Sequence, residues 1–368
     1  MISADAMSVT TTGGGNAYRE LSQLVRERGW VNKRPGRTIA ELVFHLTVHL
    51  AGVALFVAVP NIWVRIIAFF IMTYGGLGIA TNTHTSSHNT TSYSIGVNRF
   101  LTYFGYSYLL GLPANYWWNK HCIVHHPAPN VIGVDDDADL MPFFAINQRD
   151  YQKARGFVRL FYRVQWVLIP LVLALNAFFS HFQGWKFLLQ LMADPKRRRP
   201  GHWLDVLALA GYFITWVVVP MFFFSPLHVL GFYVLRNIGM SYAMFVAFAP
   251  AHFPAEAVFL DKSQLADDYV LRQTAATVNF RTGFFGRLVC SGVDYQIEHH
   301  LFPAIPHVYY PELSREVRAY CERHGYPYRT LGWWEATWKS LVIFYKPKEV
   351  FNEVEAFRAP TQPSEAAS

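Results

Sequence analysis

Four apolar stretches, each about as long as a membrane is thick, most constrain what this chain can fold into. They cover residues 39–59, 62–80, 203–224 and 227–248. A helix of about 20 apolar residues crosses a hydrocarbon core of ~30 Å, and Pro60 and Asn61 break the first pair into a hairpin. The composition agrees, because 52% of the residues are hydrophobic and 15% are charged, which is too apolar for an ordinary soluble domain. We therefore expect an all-α integral membrane protein.

The distribution of basic residues predicts the orientation of these spans. Six of them precede the first stretch: Arg19, Arg26, Arg28, Lys33, Arg34 and Arg37. Basic flanks mark the cytoplasmic side. Two further apolar stretches, 100–113 and 157–180, are expected to be interfacial or re-entrant, because the first is short and Arg159 and Arg163 interrupt the second. The sequence thus predicts four transmembrane helices in two hairpins, with a cytoplasmic helical cap.

The remaining sequence predicts three regions. Residues 1–38 form a polar cytoplasmic segment without a recognisable signal peptide, residues 39–345 form one membrane domain, and residues 346–368 form a polar tail expected to be largely disordered. The net charge of +7 arises from residues that flank the spans, so nucleic acid is not an expected partner. The three cysteines form no recognisable disulfide or metal-binding pattern.

Three histidine clusters follow apolar stretches and predict a metal centre. The histidines are His84 and His88, then His121, His125 and His126, then His299 and His300, which follow Gln296. Residues three or four apart share one face of a helix, and adjacent residues point about 100° apart, so one helix could serve two metal ions. Seven imidazoles exceed the three or four of a single zinc site. Ligand type leaves zinc open, but two redox-active irons fit a membrane oxidoreductase better.

A second histidine pair lies inside the first span. His45 and His49 are four residues apart, and such a pair could bind haem or a metal in a protein without enzymatic activity. It could equally form hydrogen bonds between membrane helices. The sequence alone leaves both interpretations open.

The residues around the clusters resemble the membrane fatty acid desaturases. The similarity lies in Trp117-Trp118-Asn119-Lys120-His121 leading to His125-His126-Pro127, and in the string from Asp294 to Pro303. Gln296 stands where most members have histidine, as in the front-end and bacterial linoleoyl-CoA-desaturase-like branch. The resemblance implies a non-haem di-iron centre that uses O2 and two external electrons to remove two hydrogens from a fatty acyl chain. It adds His252 to the seven expected iron ligands.

The same resemblance implies substrates and partners. The acyl group would be carried on CoA, a carrier protein or a glycerolipid, and its chain would lie among aromatic residues such as Tyr74, Tyr106, Trp117, Trp118 and Tyr242. A separate ferredoxin or cytochrome b5 would supply electrons, because the His-Pro-Gly-Gly motif of a fused cytochrome b5 is not found in this sequence. A lipid hydroxylase or acetylenase on the same scaffold is the alternative activity.

Ligating histidines need partners for their second ring nitrogen. The candidates nearest in sequence, with Gln296 as a weak ligand or a residue that orients water, are Asp135, Asp139, Asp294, Glu298 and His307.

Overall fold

The computed structural model describes residues 15–266 and 268–359, so predictions for residues 1–14 and 360–368 lie outside the described residues. In chain order the helices are α1 Gly15–Glu27, α2 Pro35–Ala58, α3 Ile62–Ser87, α4 Ile95–Thr102, α5 Ala114–Trp117, α6 Gln148–Lys153, α7 Gly156–Ala193, α8 Pro200–Phe213, α9 Pro226–His252, α10 Tyr269–Ala276, α11 Phe284–Cys290, α12 Gln296–Leu301, α13 Tyr310–His324 and α14 Trp333–Val342. Helices α4, α5 and α8 continue as π-helical turns through Tyr103–Leu110, Trp118–His125 and Ile214–Val218.

Short strands and single 3₁₀ turns complete the structure. Strands β1 Val131–Ile132, β2 Phe259–Asp261 and β5 Val350–Phe351 form a parallel sheet in the order β1-β2-β5, and β3 Asn279–Arg281 pairs in parallel with β4 Thr330–Gly332. The 3₁₀ turns are Pro220–Phe222, Lys262–Ala266, His307–Tyr309 and Val354–Phe357.

Five of these helices are long and apolar enough to cross a membrane. They are α2, α3, α7, α9 and the stretch Pro200–Phe222 that begins with α8. Large apolar side chains such as Leu50, Phe70 and Leu171 are exposed on their outer faces, as expected where lipid replaces water as the solvent. The chain is thus mostly helical, and its long apolar helices indicate a multi-pass membrane protein.

Helix α7 is the candidate membrane helix that the four predicted spans do not include. It runs without interruption for 38 residues and contains the whole of the stretch 157–180 that we predicted to be interfacial. Its length and composition are compatible with a crossing. The four-span assignment therefore stays a prediction, and the observed fold supplies five candidate helices.

Helices α2 and α3 form the expected hairpin and pack closely. The Asn61 side chain accepts hydrogen bonds from the backbone N–H groups of Trp63 and Val64, which fixes the start of α3. A Cβ on Gly75 would overlap the backbone nitrogen of His49. Small residues of this kind allow two membrane helices to approach each other.

The helical cap consists of α1 and of residues 118–154, 253–266 and 268–359. Its core joins Leu21 and Val25 of α1 to Leu271, Leu301 and Val317. The N-terminal segment, which the sequence marked only as polar, therefore supplies an apolar helix face to the cap. This contact places α1 on the same side of the molecule as α12, which carries two of the histidines.

The C-terminal segment also belongs to the cap. Val350 and Phe351 of β5 pair with Phe259 and Leu260 of β2, and Val354 is fully buried. The expectation of a largely disordered tail is therefore wrong for residues 346–359. The error has a physical reason, because the polar composition of this segment does not reveal that its backbone completes a sheet.

Candidate metal centre

Four elements bring the predicted histidines together beneath the cap. His84 lies at the end of α3 and His88 directly follows it, while His252 ends α9. The π-helical continuation of α5 and the helix α12 carry the others, His121, His125, His126, His299 and His300. Seven of these histidines are buried, and His88 is partly buried. The structure thus brings all eight predicted histidines together.

Five of the histidines form what we call cluster one. In His84, His88, His121, His126 and His299, one ring nitrogen of each lies within 4.8 Å of those of the others. The Nε2 atom of His121 lies 2.7 Å from Nε2 of His84 and 3.0 Å from Nε2 of His126. Nitrogen lone pairs that converge on one point suit a transition-metal ion.

The other three histidines form cluster two. Ring nitrogens of His125, His252 and His300 lie within the same 4.8 Å limit. The Nε2 atom of His252 is 2.9 Å from the side-chain amide nitrogen of Gln296, and the amide oxygen of Gln296 is buried without a hydrogen-bond partner among the described residues. Rotation of this amide by half a turn would present that oxygen to cluster two as a fourth polar group.

Unpaired ring nitrogens support metal binding at both clusters. Within the described part of the chain, Nε2 of His299 and Nε2 of His300 are buried without a hydrogen-bond partner. A buried polar atom of this kind is costly unless something binds it. A metal ion in each cluster would satisfy these nitrogens, so the residues present fit a dinuclear site.

The π-helical turns explain how one short segment serves both clusters. The backbone N–H of His126 donates to the carbonyl of His121 at 3.0 Å, five residues back instead of four. His121 and His126 therefore share a face and join cluster one, while His125 points to cluster two. On a regular α-helix, His125 would be the residue nearer to the face of His121. The adjacent pair His299 and His300 is divided between the clusters in the same way.

Among the described residues, side-chain oxygens of three residues lie within hydrogen-bond distance of the second ring nitrogen of a cluster histidine. The Nδ1 atom of His125 lies 2.9 Å from Asp135 Oδ2, and Nδ1 of His300 lies 3.2 Å from Gln273 Oε1. The Nδ1 atom of His299 lies 3.2 Å from the hydroxyl of Tyr310. Such partners fix the tautomer that leaves Nε2 free to bind metal. Sequence reasoning found Asp135 but missed Gln273 and Tyr310, because neither lies near the predicted histidine ligands in the sequence.

The other predicted partners contact different groups. Asp294 accepts from Thr282, and Glu298 accepts from Asn279 and Tyr328. Asp139 accepts from the backbone of Met141, and His307 lies 2.8 Å from Glu41. The structure thus brings Asp135 and Gln296 to the clusters and places Asp139, Asp294, Glu298 and His307 in contacts elsewhere.

Burial keeps most cluster rings neutral, as a metal ligand requires. Desolvation, together with the neighbouring imidazoles, lowers the pKa of His88 to about 3 and lowers the pKa values of His121, His126, His299 and His300. His125 differs. Burial opposes its protonation most strongly, but the carboxylates of Asp135 and Asp137 together outweigh burial and raise the pKa of His125.

Aromatic rings border cluster one. The Trp117 ring stacks on His121 with centroids 4.3 Å apart, and it also stacks on Tyr106 at 4.5 Å. The ring of Phe248 lies 5.9 Å from that of His84. Among the other expected lining residues, Trp118 donates to the carbonyl of Ser87, while Tyr74 and Tyr242 donate to the carbonyls of Phe285 and Pro170.

The intramembrane pair His45 and His49 makes separate contacts. Nε2 of His45 lies 3.1 Å from the carbonyl of Leu288, and Nδ1 of His49 lies 2.7 Å from the carbonyl of Met72. Neither residue belongs to the groups of possible metal ligands found among the described residues. This geometry favours hydrogen bonds between helices over a haem site.

Comparison with known proteins identifies similar sequences. A family model described as "Fatty acid desaturase" matches residues 60–332. The chain is 27% identical over 335 residues to the "Delta(8)-fatty-acid desaturase 2" of Arabidopsis thaliana, covering 87% of this chain and 72% of that protein. It is 27% identical over 270 residues to the "sn-1 linoleoyl-lipid 6-desaturase" of Synechocystis sp., covering 67% and 69% respectively. The stretch that matches the family contains every histidine of both clusters.

Proposed function

Since the chain belongs to the fatty acid desaturase family, we propose that it introduces a carbon–carbon double bond into a fatty acyl chain at a di-iron centre, with O2 as co-substrate. One observation carries the proposal. Eight histidines divide into two groups whose ring nitrogens converge on two neighbouring points, beside the C-terminal ends of the apolar helices α3 and α9. A dinuclear iron site requires two such groups of ligands.

The two clusters and the side chains around them would have distinct roles. Cluster one would hold one iron with five imidazoles, and cluster two would hold the other with three imidazoles and Gln296. When bound, the two irons would supply the oxidising power that removes two hydrogens from an unactivated methylene. Asp135, Gln273 and Tyr310 orient imidazole rings. The burial of these rings keeps water from the reacting groups.

The substrate class follows from the surroundings of cluster one. Trp117 and Phe248 place aromatic rings directly beside His84 and His121, and an acyl chain would suit such apolar surroundings. The two similar proteins are named as a fatty-acid desaturase and a linoleoyl-lipid desaturase. We propose a fatty acyl chain of a lipid or thioester as the substrate.

The proposed topology has four spans with the metal centre on the cytoplasmic side. The N-terminal half of α7 joins the cap, because Gln165 hydrogen-bonds with Ala145 and Phe344. Just after the other end of α7, the carbonyl of Gly201 accepts from Tyr103 and Asn115, close to the helix that carries His121. Both ends of α7 thus support an interfacial placement. The basic residues of α1, which packs in the cap, favour the cytoplasm.

A separate electron-transfer protein is proposed as the donor. Exposed basic side chains on the cap side, among them Arg26, Arg315 and Arg323, would suit an acidic carrier such as ferredoxin or cytochrome b5.

Fatty acid profiles of an expressing host test the activity. A strain supplied with a ferredoxin system would express the wild-type chain, a variant with both His299→Ala and His300→Ala, or the control His228→Ala, which changes an exposed histidine outside both clusters. Gas chromatography with mass spectrometry should find a new unsaturated species with the wild type and the control only. A hydroxylated product would move the assignment to hydroxylase, and the same product from the double variant would refute the site.

A further inference from the structure

Two segments of chain, which we call its legs, form a hairpin whose turn packs against the long helices α7, α8 and α9. Helix α4 and its π-helical continuation run inward to Leu110, and after Gly111 the chain returns through α5 to His121, His125 and His126. Gly111 has a φ of +76°, and a Cβ there would lie 2.7 Å from the Tyr212 ring. We call residues 109–115 the hairpin tip. Its unpaired backbone groups need partners, because lipid supplies none.

Three consecutive carbonyls of the tip receive hydrogen bonds from side chains of two other helices. Arg236 of α9 donates from Nη2 to Leu109 at 2.6 Å. On α7, Nε2 of His181 lies 2.7 Å from the carbonyl of Leu110, and Nε1 of Trp185 donates to that of Gly111 at 2.9 Å.

The amide side of the tip meets a carboxylate. Asp205 of α8 accepts from the backbone nitrogens of Ala114 and Asn115 at 2.7 and 3.1 Å, and from the Asn115 side chain at 2.7 Å. Ser107 donates to the same carboxylate at 2.6 Å. One buried anion thus organises the start of the second leg.

The polarity of these contacts is complementary. A cation faces the carbonyl end of the tip and an anion faces its amide end, and the side chains of Arg236 and Asp205 are 4% and 0% exposed. Neither forms an ion pair with another side chain among the described residues. Buried ionic groups in a membrane are expensive and usually serve a function. Arg236 lies sixteen residues before His252 on α9, which is about 24 Å along the helix, so direct metal binding is not that function.

We propose that Arg236, His181, Trp185 and Asp205 are positioning residues that clamp the hairpin tip and thereby set the placement of His121, His125 and His126. The second leg transmits the position. Trp117 stacks on Tyr106 of the first leg and on His121 at 4.5 and 4.3 Å, so a shift of the tip moves the rings that enter both clusters. This inference rests on the proposed function, because it concerns the ligands of the proposed irons.

The test compares Arg236→Met and Asp205→Ala with Arg65→Met. Arg65 is a matched control, because it too lies on a membrane helix and donates to a backbone carbonyl, that of Val59, but not at the tip. Size-exclusion chromatography in detergent checks folding, and iron-edge X-ray absorption reads the ligand shell. We expect the two tip variants to change this spectrum and to lose roughly 10- to 100-fold in activity, as loss of an outer support of metal ligands does. The control should match the wild type.

Conservative variants keep the proposal falsifiable if a tip variant fails to fold. Arg236→Lys retains a cation and a donor and should keep more activity than Arg236→Met, while Trp185→Phe removes one hydrogen bond with little loss of volume. Wild-type spectra and activity in Arg236→Met, Asp205→Ala and Trp185→Phe would overturn the clamp alone. A wild-type protein without iron would instead overturn the proposed function.

Discussion

The two histidine clusters are built differently, although both take ligands from the π-helical segment after α5 and from α12. Cluster one gathers five imidazoles from α3, the π-helical segment and α12, so it depends mainly on the ligands themselves. Cluster two has three imidazoles, and its polar partners come from widely separated parts of the chain. We infer that a site with fewer imidazole ligands depends more on the hydrogen bonds that hold those ligands in place.

His252 shows this dependence most clearly. Its carbonyl accepts from the Asn130 side chain at 2.9 Å and from Nζ of Lys348 at 3.0 Å. Lys348 also donates to the carbonyls of Pro254 and Ala257, and it lies beyond residue 332, where the match to the family ends. The C-terminal segment therefore steadies cluster two from outside the shared sequence.

Removal of one histidine ligand should distinguish the two clusters most strongly. His252→Ala removes one of three imidazoles, whereas His88→Ala removes one of five. We expect His252→Ala to lose the iron of cluster two together with at least roughly 100-fold in activity, while His88→Ala retains more metal. Elemental analysis and product assays measure both quantities. Greater metal loss in His88→Ala would reverse the comparison.

The next largest effect concerns the side chains that hydrogen-bond to the imidazole rings of the clusters. Asp135→Asn weakens the hydrogen bond to His125 and should cost roughly 10- to 100-fold in activity. Tyr310→Phe removes a 3.2 Å contact to His299 of cluster one, and a single neutral hydrogen bond is worth only about 1 kcal/mol, so the loss there should be no more than about fivefold. Asp139→Asn, which alters a carboxylate that touches neither cluster, is the control. Equal activity losses in the Asp135 and Tyr310 variants would contradict the comparison.

Removal of the C-terminal support should have a smaller effect. Lys348→Met withdraws the donor from the carbonyl of His252, and we expect about a tenfold loss of activity with weaker iron retention in cluster two. Lys346→Met, at an exposed neighbouring position, should behave as the wild type. Full iron occupancy and full activity in Lys348→Met would show that this segment does not steady the site.

The smallest effect is on stability and lies outside both clusters. Burial raises the pKa of Asp294 to about 6, above the value of about 4 expected in the unfolded chain. The folded protein thus favours the protonated carboxyl, and stability falls as the pH rises from about 4 through 6. Asp294→Asn should melt at a higher temperature than the wild type at pH 8, and this advantage should shrink at pH 4. An equal shift at both pH values would contradict this explanation.

The sequence predicted the parts of the site that lie in contiguous motifs. Apolar stretches located the long helices, and the boxes located the histidines that the structure gathers. Gln273 and Tyr310 escaped notice because α10 and α13 bring them to the rings through tertiary packing. The π-helical turns were also missed, since an α-helical spacing argument pairs His121 with His125, whereas the widened turn pairs it with His126. Asp294 and Glu298 lie beside the right motif, but their side chains contact other groups.

The Mössbauer spectrum and metal content of the purified wild-type protein test the proposed di-iron centre most directly. We expect an iron pair in each chain, with two distinct iron environments, because one cluster offers five imidazoles and the other three. A single metal ion per chain, or zinc in a protein that still desaturates its substrate, would contradict it.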